Sequence, residues 1–125
     1  MPQVSISIDV SDMEQAVSFY TKALGCKQLR GASDITKLDA DNTSIFLLNK
    51  PLNSNPLIVG TASRNYDRHW TPVHLDFGVS DVDHAISLVQ EFGGAHEGSD
   101  TGDWGSIAYC ADPFGNGFCL VKTLA

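Results

Sequence analysis

The segment VSISIDVSDMEQAVSFYTKALG, residues 4–25, decides the fold because a variant of it returns as VHLDFGVSDVDHAISLVQEFGG, residues 73–94. The two segments align at a constant offset of 69 positions, so that Val10-Ser11-Asp12 matches Val79-Ser80-Asp81. Two copies of one unit are expected to pack around a pseudo-twofold axis, with equivalent strand positions on opposite sides of a shared cleft. The chain is therefore predicted to contain an internal repeat.

One pair of equivalent positions is chemically unequal. His74 in the second copy corresponds to Ser5 in the first, so a side chain that can bind metal stands in only one half. Any functional site at the cleft is therefore expected to be asymmetric.

Length, charge and composition limit the classes of function. A chain of 125 residues predicts one domain over 1–125, and its 15 acidic and 8 basic residues give a net charge of −7. Such a charge repels phosphate backbones and anionic lipids, so neither nucleic acid nor a membrane is expected as a partner. No apolar run approaches the length of a membrane span, and three cysteines without CxxC spacing argue against a disulfide framework. These features favour a cytoplasmic protein.

Each copy has the hydrophobic pattern of a βαβββ unit. Alternating residues predict a first strand over 4–10, and a capping-box pattern at Ser11 and Glu14 predicts a helix over 12–24. The second copy repeats this order, with a helix capped by Ser80 and Asp83. The remaining strands are predicted near 27–30, 34–38, 43–48, 95–98, 106–111 and 117–122. The modules are thus predicted over 3–48 and 71–123, and the connecting loop over 49–70 has the length typical of a lid or a disordered segment.

These motifs resemble the vicinal oxygen chelate superfamily, which includes glyoxalase I, extradiol dioxygenases and bleomycin-binding proteins. The resemblance rests on the paired units, on Val10, Asp12 and Phe19-Tyr20 in the first copy, and on the turn Asp112-Pro113-Phe114-Gly115-Asn116. It implies an α+β fold in which two βαβββ modules form a half-open mixed β-sheet barrel around a cleft, with helices outside. Because this scaffold supports several reactions, the function has to be argued from the site.

The resemblance also implies four metal-ligand positions on the concave faces, and in this chain Ser5, Phe46, His74 and Cys119 stand there. Phe46 has no donor atom, and a catalytic divalent cation usually has at least three protein ligands. No metal or other cofactor is therefore expected. If a metal binds, His74 and Cys119 are its ligands, with Asp76 or Asp9 as a further donor.

Several side chains are candidates for the wall of the cleft. Strand alternation places Asp76 on the face of His74, and Trp70, Trp104 and Tyr109 offer aromatic surface for a flat ligand. The predicted ligand-binding set is Ser5, Phe46, His74, Asp76, Trp104, Tyr109 and Cys119. Each aromatic residue could instead fill the core or a dimer interface.

Three further side chains have alternative interpretations. Arg30 and Arg64 are candidates to bind a carboxylate or phosphate, although exposed arginines are more often solvated. Cys119 is either a nucleophile activated by His74 or a buried inert thiol. His74 is either a general base or a side chain that orients Asp76.

Three hypotheses about function remain open at this point. The first is a metal-independent protein that binds a small amphiphilic or aromatic molecule in the cleft. The second is an atypical lyase, isomerase or dioxygenase that uses His74 as ligand or general base, with Cys119 as a further candidate catalytic residue. The third is a dimeric scaffold without a ligand. A homodimer is expected in each case, because the sheets have open edges.

Overall fold

A computed structural model describes residues 1–57, 60–69 and 71–123 of the chain. The first module contains β1 (Ser5–Val10), α1 (Met13–Ser18), a π-helical segment (Phe19–Ala23), β2 (Lys27–Gly31), β3 (Ile35–Asp39) and β4 (Ser44–Asn49). The second contains β5 (Leu75–Gly78), α2 (Val82–Glu91), β6 (Ala95–Gly102), β7 (Gly105–Ala111) and β8 (Gly117–Thr123). The predicted α+β fold of paired βαβββ modules is confirmed.

Each module forms its own mixed sheet of four strands. The strand orders are β1-β4-β3-β2 and β5-β8-β7-β6, with the first and last strands of each module parallel and the other neighbours antiparallel. The two sheets are open rather than closed into a barrel. β1 and β5 are therefore equivalent edge strands, and side chains from both line the same cavities between the modules.

One hydrophobic core joins the modules. Phe19 of the first module packs edge-to-face against Phe118 of β8, with ring centroids 6.0 Å apart. The adjacent Tyr20 hydroxyl donates a hydrogen bond of 2.6 Å to Asp112 in the turn before β8. Because these contacts are buried and cross between the modules, neither half encloses its own core completely.

The first helix ends differently from the prediction, and the N-terminal caps of both helices differ from it as well. It changes from α-helical to π-helical geometry at Phe19, and this geometry buries the adjacent Phe19 and Tyr20 together. Asp12, and not Ser11, caps α1 by accepting the N–H of Gln15, and Asp81 caps α2 in the same way. The capping box predicted at Ser11 and Glu14 and the cap predicted at Ser80 and Asp83 are wrong. At a helix N-terminus, the carboxylate of aspartate is as effective a cap as the hydroxyl of serine, and its charge also interacts favourably with the helix dipole.

The strand ends also differ from the prediction. Val4 and Val73 lie outside β1 and β5 and are exposed, because pairing with β4 and β8 begins only at Ser5 and Leu75. β6 continues beyond the predicted residue 98 to Gly102, where a two-residue turn leads into β7. The residues 99–102 have turn composition, so long-range pairing with β7 overrides their local preference. No helix in the described ranges is long and apolar enough to cross a membrane.

Candidate functional site

Two adjacent cavities have His74 in their lining. The larger, the His74 cavity, has a volume of about 360 Å³ and lies between β1 and the residues that lead into β5. The smaller, the side pocket, has a volume of about 60 Å³ and extends from His74 toward Tyr109 and Cys119. The two share Thr71, His74, Gly117 and Phe118, so a molecule bound beside His74 has access to both.

The His74 cavity has the mixed lining of a small-molecule site. Ile6, Ile8 and Leu75 supply apolar surface, while Asp9 and His69 supply polar groups. Binding sites for small molecules typically combine apolar walls with a few polar groups that fix the orientation of the ligand. β1 is an edge strand, and residues from both of its faces, Ile6 and Ile8 together with Ser7 and Asp9, line this cavity.

A second large cavity, of about 420 Å³, lies elsewhere along the boundary between β1 and β5. Its lining includes the carboxylates of Asp39, Asp41 and Asp76. Among its described lining residues there is neither an imidazole nor a basic side chain. The side chains that line the two cavities therefore favour the cavity around His74 as the candidate site.

His74, Asp76 and Cys119 form a compact group beside the side pocket. The Nε2 atom of His74 lies 3.3 Å from Oδ1 of Asp76, and strand pairing places Asp76 next to Cys119. One ligand atom from each residue lies within 4.8 Å of the others. Burial and the carboxylate of Asp76 raise the pKa of the Cys119 thiol. This electrostatic environment favours the inert thiol over the activated nucleophile, which remains a prediction without support from the pKa.

The four positions implied by the family resemblance do not all fit a divalent cation. Ser7 pairs with Phe46 across β1 and β4, and the Phe46 ring carries the Lys37 ammonium 5.7 Å from its centroid. A phenyl ring under a cation provides no metal ligand. The group of His74, Asp76 and Cys119 offers three donors of its own, a set compatible with Zn²⁺ when the thiol is deprotonated.

The connecting segment between β4 and β5 is fastened to both modules. Arg64 donates to Asp9 of β1 over 2.7 Å and also contacts Ser54, so it holds the segment rather than an external anion. The Tyr66 ring packs on Phe114 in the turn before β8. These contacts place the last residues of the segment along the rim of the His74 cavity.

Arg68 continues this segment over the second sheet. Its guanidinium forms two hydrogen bonds with the Glu97 carboxylate, of 2.6 and 2.8 Å, and a third with the carbonyl of His69. The hydrogen bonds raise the pKa of Arg68 and lower that of Glu97. Arg68 also lines the side pocket together with Tyr109 and Cys119.

The structure brings together only part of the predicted ligand-binding set. His74, Tyr109 and Cys119 line the side pocket, and Asp76 contacts His74. In the described part of the chain, the predicted residues that line neither cavity around His74 are Ser5, Phe46, Asp76 and Trp104, and Asp76 lines the cavity of about 420 Å³ instead. Trp104 lies in the β6–β7 turn, and Arg30 is exposed on β2. Trp70 lies outside the described residues.

Arg68, His69 and Thr71 are site residues that the sequence did not indicate. They lie in a segment without hydrophobic periodicity, so no local pattern predicts which cavity they approach. Asn116 and Gly117 also line the His74 cavity, and the turn at 112–117 was the available signal for them.

Comparison with known proteins assigns the class. A family model described as a glyoxalase-like domain matches residues 5–121, and the chain therefore belongs to this family. The resemblance to the vicinal oxygen chelate superfamily is confirmed. No curated protein sequence matches the chain.

Solved structures with this fold carry different printed functions. A fosfomycin resistance protein, FosX, from Listeria monocytogenes is 16% identical with a TM-score of 0.74, over 99% of this chain and 95% of FosX. A glyoxalase/bleomycin resistance protein from Streptomyces sp. CB03234 is 26% identical with a TM-score of 0.64, over 96% and 99%. TnmS3, an antibiotic binding protein from the same source, is 25% identical with a TM-score of 0.67, over 98% and 97%. The family thus defines the scaffold without defining one reaction.

Proposed function

We propose that this protein binds a small amphiphilic or aromatic molecule in the His74 cavity and the side pocket. The observation that carries the proposal is a cavity of about 360 Å³ with apolar walls and with His74 at its junction with the side pocket. The similarity to TnmS3, an antibiotic binding protein, extends over 98% of the chain and supports a binding function. In this proposal, His74 is the polar anchor that orients the ligand.

We further propose that binding needs no metal ion. Phe46 removes one of the four family positions, and Ser5 is a poor ligand for a divalent cation. Elemental analysis of the purified protein is expected to give much less than one zinc, nickel or iron per chain. Treatment with a chelator is expected to leave ligand affinity unchanged.

A test of the binding site compares two histidine substitutions. A calorimetric screen of aromatic and amphiphilic compounds first identifies a ligand, and the affinity is then measured for His74→Ala and for His84→Ala. His84 is exposed on α2, so its substitution is the matched control. Only His74→Ala is expected to lower the affinity, by about tenfold or more, which is the effect of losing one polar contact with the ligand. Equal affinities for both variants would contradict the proposed site.

The second candidate function is that of a metal-dependent lyase, isomerase or dioxygenase. The observation that favours it is the group of His74, Asp76 and Cys119, whose ligand atoms lie within 4.8 Å of one another. Cobalt substitution distinguishes the two candidates, because a thiolate bound to Co²⁺ gives an intense near-ultraviolet absorption. A stoichiometric metal that is lost in Cys119→Ala would replace the metal-independent proposal with this one.

We also propose a homodimer in the cytoplasm. Leu29 and Ile35 are exposed apolar residues on neighbouring strands of the first sheet, and burial against a second copy would remove them from water. The three cysteines are free thiols, which fits a reducing compartment. Light scattering at micromolar concentration tests the dimer, and a monomeric mass would contradict it.

A further inference from the structure

Arg68 places a guanidinium at the side pocket that shares its lining with His74. Gly117 makes room for it, because a Cβ atom at this position would lie 2.8 Å from the Nη2 atom of Arg68. The same pocket is lined by Tyr109, Phe118 and Cys119, so the cation stands beside apolar surface. This arrangement suits a molecule that carries both a flat apolar part and a negative group.

The partner that Arg68 now has is a carboxylate of the protein itself. Glu97 accepts from Nε and Nη2 of Arg68 in the paired geometry that guanidinium groups form with carboxylates. Both side chains are about one-third exposed, at 36% and 34%, so water reaches this ion pair. Water screens the attraction between these charges, and an incoming oxyanion can form the same paired geometry with the guanidinium.

Arg64 is a useful contrast to Arg68. Its side chain is only 16% exposed, and it holds Asp9 and Ser54 at once. A ligand could take Arg64 only by releasing the connecting segment from β1. Arg68 can exchange Glu97 for another oxyanion while its bond to the carbonyl of His69 continues to position the guanidinium.

We propose that Arg68 is the anchor for an oxyanion, such as a carboxylate or sulfonate, on the aromatic or amphiphilic ligand, and that Glu97 occupies this anchor until the ligand displaces it. The inference rests on the proposed binding function and names the class of ligand. The other interpretation is that the ion pair only fastens the connecting segment to β6. The two differ in what removal of the Glu97 charge does to the binding of an anion.

The test uses a pair of bicyclic aromatic probes that differ in charge, 2-naphthoate and 2-naphthamide. Isothermal calorimetry at low salt measures both with the wild type, Glu97→Gln, Arg68→Gln and the matched control Arg30→Gln. The affinity of the wild type for 2-naphthoate is expected to be about tenfold higher than for 2-naphthamide, which is the preference that one pair of charge-assisted hydrogen bonds provides. Glu97→Gln is expected to raise the affinity for 2-naphthoate severalfold and to leave that for 2-naphthamide unchanged, because the internal competitor is gone.

Arg68→Gln is expected to remove the preference for the anion while 2-naphthamide still binds, and Arg30→Gln is expected to behave as the wild type. Equal affinities of the wild type for the two probes would overturn the role of Arg68 and leave the proposed function intact. Weaker binding of 2-naphthoate to Glu97→Gln would show that Glu97 positions Arg68 and would overturn the displacement. Binding of neither probe would contradict the proposed function and the anchor together. Circular dichroism identifies a variant that fails to fold, and Glu97→Gln tests the inference independently of Arg68→Gln.

Discussion

Tyr20→Phe removes a single oxygen atom from the contact between the two modules. In the native protein this hydroxyl donates to Oδ2 of Asp112 over 2.6 Å, and the two residues are only 2% and 4% exposed. Three further donors reach the same carboxylate from the backbone of Phe114 and from the backbone and side chain of Asn116. The substitution therefore leaves Asp112 buried with one donor fewer.

The expected loss of stability follows from the charge on the acceptor. A hydrogen bond to an ionised group contributes about 1.5–3 kcal/mol to stability, and the three remaining N–H donors still form hydrogen bonds with the carboxylate. We expect Tyr20→Phe to lower the free energy of unfolding at pH 7 by about 2 kcal/mol. With a typical urea dependence for a small domain, the midpoint of urea unfolding falls by about 1 M.

The loss is expected to depend on pH in a defined direction. Burial raises the pKa of Asp112 above its ordinary value of 3.8, while the bond from Tyr20 lowers it, so the substitution moves this pKa further upward. An acid whose pKa is raised on folding binds more protons in the native state, and stability falls as the pH rises through that window. The difference between wild type and Tyr20→Phe is therefore largest at neutral pH and shrinks as the pH falls through the pKa of folded Asp112.

Tyr109→Phe is the matched control, because it removes the same atom from a side chain that is 44% exposed on β7. Urea unfolding followed by circular dichroism at pH 7 and at acidic pH measures both variants. A stability of Tyr20→Phe within about 0.5 kcal/mol of that of Tyr109→Phe would refute the reasoning, because exposed substitutions usually fall in that range.

Four other substitutions test the backbone, a buried thiol, the first residue of β5 and the residue before it. Gly115→Ala is expected to cost about 1–3 kcal/mol in urea unfolding, since φ is +82° and the new Cβ would lie 2.7 Å from the carbonyl oxygen of Asp67. Burial raises the pKa of the Cys26 thiol from 9.0 to about 11, so the native state keeps this proton to a higher pH than the unfolded state does. The free energy of unfolding therefore falls as the pH rises between these two values. Cys26→Ala is expected to reduce the slope of that fall by at most about 1.4 kcal/mol per pH unit. Leu75→Ala is expected to cost about 2 kcal/mol, the low end for a leucine that is only partly buried, and His74→Ala less than about 0.5 kcal/mol. A reversed order for the last pair, or an unchanged pH profile for Cys26→Ala, would contradict these assignments.

The fold was largely predictable because the same pattern occurs twice. Period-two alternation in β1 and the offset to residues 73–94 together identified two βαβββ modules, and long-range pairing preserved that order. Local boundaries were less predictable. The π-helical segment at Phe19–Ala23 has apolar spacing that also fits an α-helix, so the sequence pattern does not reveal its geometry.

The candidate site was predictable on the strands of the second module and directly beside them. The family resemblance implied positions for His74 and Cys119 at the cleft, and both line the side pocket. Arg68 was missed because its position at the side pocket depends on how the connecting segment folds back over β6. Such contacts join residues far apart in sequence and have no period that a pattern could reveal.

The departures from the repeat make the two halves of the proposed site chemically unequal. Cys119 of the second sheet corresponds to Phe46 of the first, where an aromatic ring under the Lys37 ammonium occupies the equivalent face. Arg68 comes from the connecting segment, which has no counterpart in the repeat. A duplicated scaffold offers two equivalent concave faces, but polar groups suited to a ligand converge on the face beside His74. If the proposed site binds the ligand, substitutions that alter binding should fall in the second module, in the connecting segment and in β1, whose Ile6 and Ile8 line the His74 cavity. Substitutions at the shared core positions should alter stability in both modules.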